Sequence, residues 1–227
     1  MTALQHLFMA GIRADTEVEY AIQGSRRVRW QELHITQSEL DGACGIVAVL
    51  QSAMVLLGVK RKDVEKIASI KSGPLHTLWN LARRDYFTGT TEQELERLIG
   101  VFAPRLRSKT VLGSNTRLIA KEIGLAIEAG HVPILGIHSR TWRHWVLAIG
   151  VEIETGKSRP RALLCLDPSD SRPELGVFYT ARCALQASEY GLNGKAKKYA
   201  LRYCNTDGQV SAVQLHGLVI VKKGQAP

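Results

Sequence analysis

This sequence lacks the features that mark membrane, secreted and zinc-binding proteins. No apolar run reaches the ~18 residues that a membrane-spanning helix needs. The N-terminus has no basic stretch followed by a long apolar core, so we expect no signal peptide and synthesis in the cytoplasm. That expectation leaves open export or injection by a machine that reads other signals. The four cysteines include no CxxC pair, which argues against a zinc knuckle and requires no disulfide.

Positive charge is what the sequence has in excess. The formal net charge of +9 favours anionic partners such as nucleic acid, acidic peptides or anionic lipid. The basic residues are spread over several short clusters, and no nucleic-acid-binding motif accompanies them. We therefore interpret them as solvated surface residues and do not expect a nucleic-acid partner.

Length and composition favour a globular protein with one good-sized core or two small ones. The chain has 227 residues, of which 45% are hydrophobic. Residues 17–22 and 27–30 alternate between apolar and polar side chains, and Gly24-Ser25 lies between them. This pattern predicts a β-hairpin. We assign residues 1–34 to an N-terminal extension that contains the hairpin, and residues 35–227 to the main domain.

The order of the remaining predicted elements favours an α+β fold. Helices are predicted over 44–57, 62–70 and 75–84, from the Thr90-Thr91 cap to Pro104, and from Asn115 or Thr116 to Ala129. Strands are predicted over 133–137, 145–151, 162–166 and 215–221, with irregular structure over 168–200. Helices followed by antiparallel strands predict a helical half packed on a sheet half, with a cleft between them.

One cysteine stands where a helix is predicted to begin. Apolar residues recur at three- and four-residue steps after Cys44 and stop at Gly58. Asp41 or Gly42 can cap this helix, which puts Cys44 in the first turn. There the helix dipole and the unpaired N–H groups favour the nucleophilic thiolate, and Gly45 lets another backbone or a substrate approach closely. The alternative is a small core residue, as buried free cysteines usually are.

A base and its orienting partner are predicted at the ends of two adjacent strands. His144 opens the strand over 145–151, and the next strand along the chain ends in Asp167-Pro168. Strands joined by a short turn lie side by side, so Asp167 comes close to His144. A carboxylate there would hold the imidazole and stabilise its charged form. The alternative is a surface histidine beside an ordinary Asp-Pro turn.

Two further interpretations concern the loop before His144. Trp142 and Trp145 form either a substrate wall near the active site or a cover on the core, and the sequence does not separate these. His138 lies in the same loop region, where it could line the cleft. A metal site of His138, His144 and Asp167 has no supporting ligand spacing such as HExxH, so we expect no metal.

Taken together, these residues resemble a papain-like cysteine peptidase. The nearest pattern is that of the bacterial peptidases that cleave double-glycine leaders in bacteriocin processing, and their stand-alone relatives. The motifs that carry the resemblance are Gln37, Cys44-Gly45, His144-Trp145-Val146 and Asp167-Pro168. They span about residues 35–170, and the rest of the chain is unassigned. The resemblance implies a papain-like fold, with the nucleophile helix packed on the antiparallel sheet half, for the domain over 35–227.

The family also implies a role for each matched residue. Cys44 would be the nucleophile, His144 the general base and later acid, and Asp167 the orienter. Gln37 would stabilise the oxyanion together with the Cys44 backbone N–H. Gln37 lies one residue further from the cysteine than the family spacing, so an extra residue, Gly42 or Ala43, would have to bulge.

The resemblance extends to substrates and partners. We expect Trp142, Trp145 and Gly45 to contact a peptide or protein substrate, with no metal or organic cofactor. A bacterial effector or toxin fits this description, with a regulatory or immunity-type protein as a further partner. Two alternatives stay open: a catalytically silent peptide-binding module that keeps the fold, or a deamidase, acyltransferase or cell-wall amidase that uses the same triad.

Overall fold

In a computed structural model of the chain, strands outnumber helices. The structure describes residues 4–14, 18–22, 28–37, 42–84, 86–112, 116–156, 160–170, 179–185 and 201–224. Of these residues, 41% lie in strands and 30% in helices. The strands are β1 Leu4–Phe8, β2 Ile12–Ala14, β3 Val18–Ile22, β4 Arg29–Glu32, β5 Leu106–Leu112, β6 Val132–His138, β7 Arg143–Glu154, β8 Pro160–Leu166, β9 Ala181–Leu185, β10 Leu201–Asn205 and β11 Val210–Lys223. The helices are α1 Cys44–Leu57, α2 Arg61–Glu65, α3 Gly73–Ala82, α4 Glu92–Gly100 and α5 Thr116–Glu128, with a 3-10 turn at Ile67–Ser69.

A closed antiparallel barrel of six strands forms the centre of the molecule. Its order is β7-β6-β11-β10-β9-β8, and β8 pairs back onto β7 to close the ring. Closure satisfies the backbone hydrogen bonds that an open sheet would leave unpaired at its edges. β1 pairs with β7 and β5 with β11 outside the ring, whereas β2, β3 and β4 form a separate antiparallel sheet.

The predicted papain-like α+β fold, with a helical half packed on a sheet half, is therefore wrong. Helices and strands are not segregated along the chain, because β5 lies between α4 and α5 and pairs with β11. The stretch over 168–200 was predicted to be irregular, yet it contains β9, and β10 follows it directly. β9 and β10 are the two strands that join β8 to β11 and so close the barrel.

Helix α1 lies on the barrel, against β7, β6 and β11. It is apolar on all sides, and nearly every residue is buried, as expected of a helix covered on both faces. The predicted end at Gly58 is confirmed: Gly58 is left-handed, with φ 67°, and its N–H donates to the Met54 carbonyl. The predicted cap is wrong for Gly42, because Ala43 is the N-cap and makes no side-chain cap bond. Asp41 lies outside the described residues.

Helix α4 begins as the sequence predicts. Thr91 is its N-cap, and Thr91 and Glu94 exchange the reciprocal hydrogen bonds of a capping box. Its apolar face, which includes Leu95 and Leu98, is fully buried in the core. Among the described residues, no helix combines the length and the apolar character required to cross a bilayer.

The N-terminal strands share the core of the main domain. β3 and β4 pair antiparallel where the hairpin was predicted, and the proposed turn at Gly24-Ser25 lies outside the described residues. Tyr20 of β3 is fully buried, and its hydroxyl donates to the Val59 carbonyl at 2.5 Å, just beyond the end of α1. Met9 and Leu33 belong to the same hydrophobic cluster as α1. The division of the chain at residue 34 stays a prediction.

Candidate active site

Cys44 is the first residue of α1, and its side chain is in contact with the end of the barrel. The thiol hydrogen-bonds to His144, the second residue of β7. No acidic residue lies in the first turn of α1, so no carboxylate of that turn opposes the positive end of the helix dipole at Cys44. Cys44 is 7% exposed and therefore lies largely in the protein interior.

His144 connects the cysteine to a buried carboxylate. Its Nε2 lies 2.6 Å from Asp167 Oδ1, which leaves Nδ1 as the ring nitrogen for the Cys44 thiol. Burial alone would lower the pKa of His144, but the hydrogen bonds and charges of Asp167 and Cys44 outweigh burial and raise this pKa to about 10. The imidazole is therefore held in its charged form at neutral pH.

Asp167 follows β8 directly, and donors surround both of its carboxylate oxygens. Oδ1 accepts from His144, from the Ser169 N–H at 2.7 Å and from the Ser169 hydroxyl at 2.6 Å. Oδ2 accepts from the Tyr203 hydroxyl of β10. Burial alone would raise the pKa of Asp167, but His144, Ser169 and Tyr203 outweigh it and keep this pKa below its usual range. Asp167 is thus an ionised carboxylate held in a fixed position against the imidazole.

The backbone of Asp167 is held as firmly as its side chain. Its N–H donates to Thr180 Oγ1 at 2.5 Å, and its carbonyl accepts from His34 Nε2 at 2.9 Å. Both partners are buried. Burial is the main reason that the pKa of His34 is lowered, so this histidine is a neutral donor to the carbonyl.

Sequence reasoning missed Ser169, Thr180, Tyr203 and His34. A local signal existed for Ser169, because an Asp side chain that accepts from the N–H two residues later is the Asx turn that Asp-Pro-Ser favours. Thr180 and Tyr203 lie at strands that the sequence did not predict, and His34 is distant in the chain. The barrel strands bring Thr180 and Tyr203 to Asp167, and His34 reaches it from the segment that follows β4.

Gln37 lies beside Asp167-Pro168, on the segment that leads into α1. Its backbone N–H donates to the Pro168 carbonyl at 2.6 Å. Its side-chain Oε1 is buried and has no hydrogen-bond partner among the described residues. Of the residues predicted to bulge, Gly42 packs so closely on Gly89 that a Cβ at position 42 would lie 2.5 Å from the Gly89 nitrogen. The oxyanion role of Gln37 stays a prediction.

Gly45 and Trp145 lie on the core side of the site. A Cβ at position 45 would collide with Thr90 Oγ1 and would lie 2.9 Å from Leu95 Cδ2. The Trp145 indole, 4% exposed, donates to the Thr90 carbonyl at 2.8 Å and so fixes the residue that packs on Gly45. These contacts give Gly45 and Trp145 packing roles, and their substrate-binding roles stay predictions.

Trp142 lies on the other side, next to the triad. Its ring packs edge-on against His144, with centroids 6.3 Å apart, and against Tyr203, with centroids 5.9 Å apart. It borders a cavity of about 310 Å³ at this end of the barrel. The cavity is lined by Trp142, Arg143, His144, Asp167, Ser169, Asp170, Tyr203, Asn205, Gln209 and Ser211. Most of these residues have polar or charged side chains, and they include His144 and Asp167 but not Cys44.

The alternative metal site of His138, His144 and Asp167 has no counterpart among the described residues. Within the described residues, no group of three or more His, Cys, Asp or Glu side chains is arranged to hold a metal ion. His138 instead packs on His216, with ring centroids 5.7 Å apart. His216 Nδ1 lies 3.1 Å from Glu92 Oε1, at the start of α4.

No protein-family model and no curated protein matches this chain. The papain-like resemblance therefore rests on the motifs around Gln37, Cys44, His144 and Asp167 and stays a prediction.

Proposed function

We propose that this protein is a thiol amide hydrolase, a cysteine peptidase that cleaves a peptide or isopeptide-type bond. The observation that carries the proposal is the continuous hydrogen-bonded chain from the Cys44 thiol through His144 to Asp167. A nucleophile beside a base, with the base held by a third group, is the arrangement that acyl transfer requires.

The proposed reaction has two steps and uses no cofactor. In the first step, the Cys44 sulfur attacks the carbonyl carbon, the C–N bond breaks, and the His144 imidazolium gives its proton to the leaving amine. In the second step, water attacks the thioester carbon while His144 takes a proton from it, and the carboxylic acid product leaves as the thiolate re-forms. Asp167 stabilises the imidazolium in each cycle but takes no proton itself.

The complete triad also supports this proposal against a silent peptide-binding module. Such a module has no need of a buried imidazolium held between a thiol and a carboxylate. A deamidase, acyltransferase or cell-wall amidase would use the same first step, so these differ from the proposal only in the acyl donor or acceptor.

Alkylation of the cysteines across pH tests the proposal. The protein is treated with iodoacetamide, and each cysteine is quantified by mass spectrometry in the wild type, His144→Ala and the control His76→Ala. His76 is a suitable control because it is a partly buried histidine with a hydrogen bond, to the Ile70 carbonyl at 2.8 Å, but it lies in α3. Cys165 and Cys183, both fully buried, serve as unreactive references.

We expect Cys44 to react fastest below about pH 7, to lose this reactivity in His144→Ala and to keep it in His76→Ala. A thioester mass increment on Cys44, trapped by acid from a mixture of test peptides, would then identify the acyl donor. The proposal fails if Cys44 reacts no faster than the half-buried Cys204 at every pH.

A further inference from the structure

Tyr203 approaches the triad from a distant part of the chain. It lies in β10, which is separated from β8 by β9 in the barrel. The strand registers pair Tyr203 with Cys183 and Cys183 with Leu163, so these side chains share one face of the sheet. Asp167 continues that face from Leu163, and the Tyr203 hydroxyl spans β9 to donate to Asp167 Oδ2.

This hydroxyl binds the carboxylate oxygen that neither His144 nor Ser169 uses. A carboxylate held at one oxygen can rotate about its last bond, whereas donors on both oxygens fix its plane. With Oδ2 bound by Tyr203, Oδ1 stays directed at His144 Nε2. Groups that hold a metal ligand or a catalytic base in place commonly have large effects on activity without touching the reacting atoms.

The surroundings of Tyr203 keep it a donor in a fixed position. Its side chain is buried, and Trp142 packs edge-on against both its ring and that of His144. Burial, followed by the charge of Asp167, raises the pKa of Tyr203 far above its ordinary value. The phenol therefore stays protonated over the whole range in which His144 titrates.

We propose that Tyr203 is a positioning residue for the reaction, whose hydroxyl fixes Asp167 so that His144 stays aligned with Cys44. The inference rests on the proposed function and extends it to β10, which lies in the part of the chain that the sequence left unassigned. Tyr203 acts through Asp167 and contacts neither the nucleophile nor the base by a hydrogen bond among the described residues.

The test compares Tyr203→Phe with Tyr20→Phe in the full-length protein. Both changes remove one hydroxyl from a buried tyrosine, but the Tyr20 hydroxyl donates to the Val59 carbonyl, with Gln31 Oε1 at 3.0 Å, away from the triad. The pH dependence of Cys44 alkylation is measured for both variants and for the wild type. Thermal melting shows whether the two variants lose comparable stability.

We expect Tyr203→Phe to move the acid limb of Cys44 alkylation up by about one pH unit, a roughly tenfold slower reaction below the midpoint. The reason is that a misaligned Asp167 no longer holds the charged His144 against the sulfur, so the thiolate is stabilised less and forms only at a higher pH. Tyr20→Phe should leave the limb in place. In an Asp167→Asn background, Tyr203→Phe should add nothing, because the group that it orients is no longer a carboxylate.

Three results would overturn the inference. A limb that does not move in Tyr203→Phe, or one that moves to lower pH, means that the hydroxyl does not align Asp167 or that it competes with His144 for the carboxylate. If Tyr203→Phe does not fold, proton NMR of the wild type decides. The Tyr203 hydroxyl should give a downfield resonance whose chemical shift changes with pH at the midpoint of Cys44 alkylation. The absence of this resonance contradicts the inference. If the pH dependence of Cys44 alkylation in the wild type does not depend on His144, the proposed function itself is refuted. This outcome differs from a failure of the Tyr203 inference, in which the wild type keeps its His144-dependent limb.

Discussion

At the scale of single residues, two histidines near Asp167 have opposite electrostatics. His144 lies between the Asp167 carboxylate and the Cys44 thiol, and its pKa is raised to about 10 despite burial. His34 donates to the uncharged Asp167 carbonyl, and burial lowers its pKa. The difference follows from the partner: a carboxylate compensates a buried positive charge, and a carbonyl dipole does so much less.

This difference predicts opposite pH dependences of stability. The contribution of His144 is fully present below its unfolded pKa of about 6.5 and is lost as the pH rises towards about 10, because the folded state keeps a proton that the unfolded state releases. The gap in unfolding free energy between the wild type and His144→Gln should therefore shrink over that range. Urea denaturation at a series of pH values measures it.

His34→Gln is the matched control for this prediction. Because the folded pKa of His34 is lowered, the unfolded state binds the extra proton, and the stabilisation by His34 grows as the pH rises to about 6.5. The gap between the wild type and His34→Gln should widen with pH and then level off. Equal slopes for the two variants would contradict the assignment of the charge to His144.

At the scale of elements, the start of α1 is set by its packing on the loop before α4. Thr90 lies so close to Gly45 that no side chain fits there, and the Trp145 indole holds the Thr90 carbonyl. Leu95 of α4 closes the other side. The helix that carries Cys44 is thus positioned by contact rather than by an N-terminal side-chain cap.

Gly45→Ala should therefore lower the unfolding free energy by about 1–3 kcal/mol, the usual effect of overpacking a tight site. Gly100→Ala is the matched control, because Gly100 is also helical and a Cβ there would meet nothing within 4 Å. That variant should be unchanged or gain up to about 1 kcal/mol from the better helix propensity of alanine. Urea melts of both variants decide, and equal effects would refute the close packing at Gly45.

Prediction of elements from sequence succeeded where the local pattern was strong. α1 has a continuous apolar run and a terminal glycine, and α4 has the Thr91–Glu94 box, so both boundaries could be read from neighbouring residues. β9 and β10 are five residues long, and apolar and polar side chains alternate over only three positions of each. So short an alternation does not distinguish a strand from a loop, and barrel pairing is what makes these segments strands.

At the scale of the whole molecule, β11 pairs with three strands from different parts of the chain. It pairs with β10 along its first residues, with β6 along its middle and with β5 along its last residues. The segment after residue 200 is therefore part of the barrel, because β10 and β11 supply two of its six strands. Tyr203 reaches Asp167 only through this closure.

Neighbouring residues of β11 test the barrel register. Val213 pairs with Leu201 and is fully buried, whereas Ala212 pairs with Arg202 and is exposed. Val213→Asp would bury an unpaired charge and should destabilise the protein by more than about 4 kcal/mol, enough to prevent folding. Ala212→Asp should change the unfolding free energy by less than about 1 kcal/mol. Circular dichroism and urea melts separate the two, and a folded Val213→Asp protein would contradict the closed barrel.

The sequence by itself determined the helix that begins at Cys44 and the adjacent strand ends that bring His144 and Asp167 together, because each depends on periodicity, a cap or a short turn. Only the tertiary structure decided that the strands close into a barrel, since ring closure pairs segments far apart in the chain. It also decided the environment of Asp167, where Thr180, Tyr203 and His34 meet. Local pattern can propose reactive residues, but their protonation states depend on burial and on long-range partners.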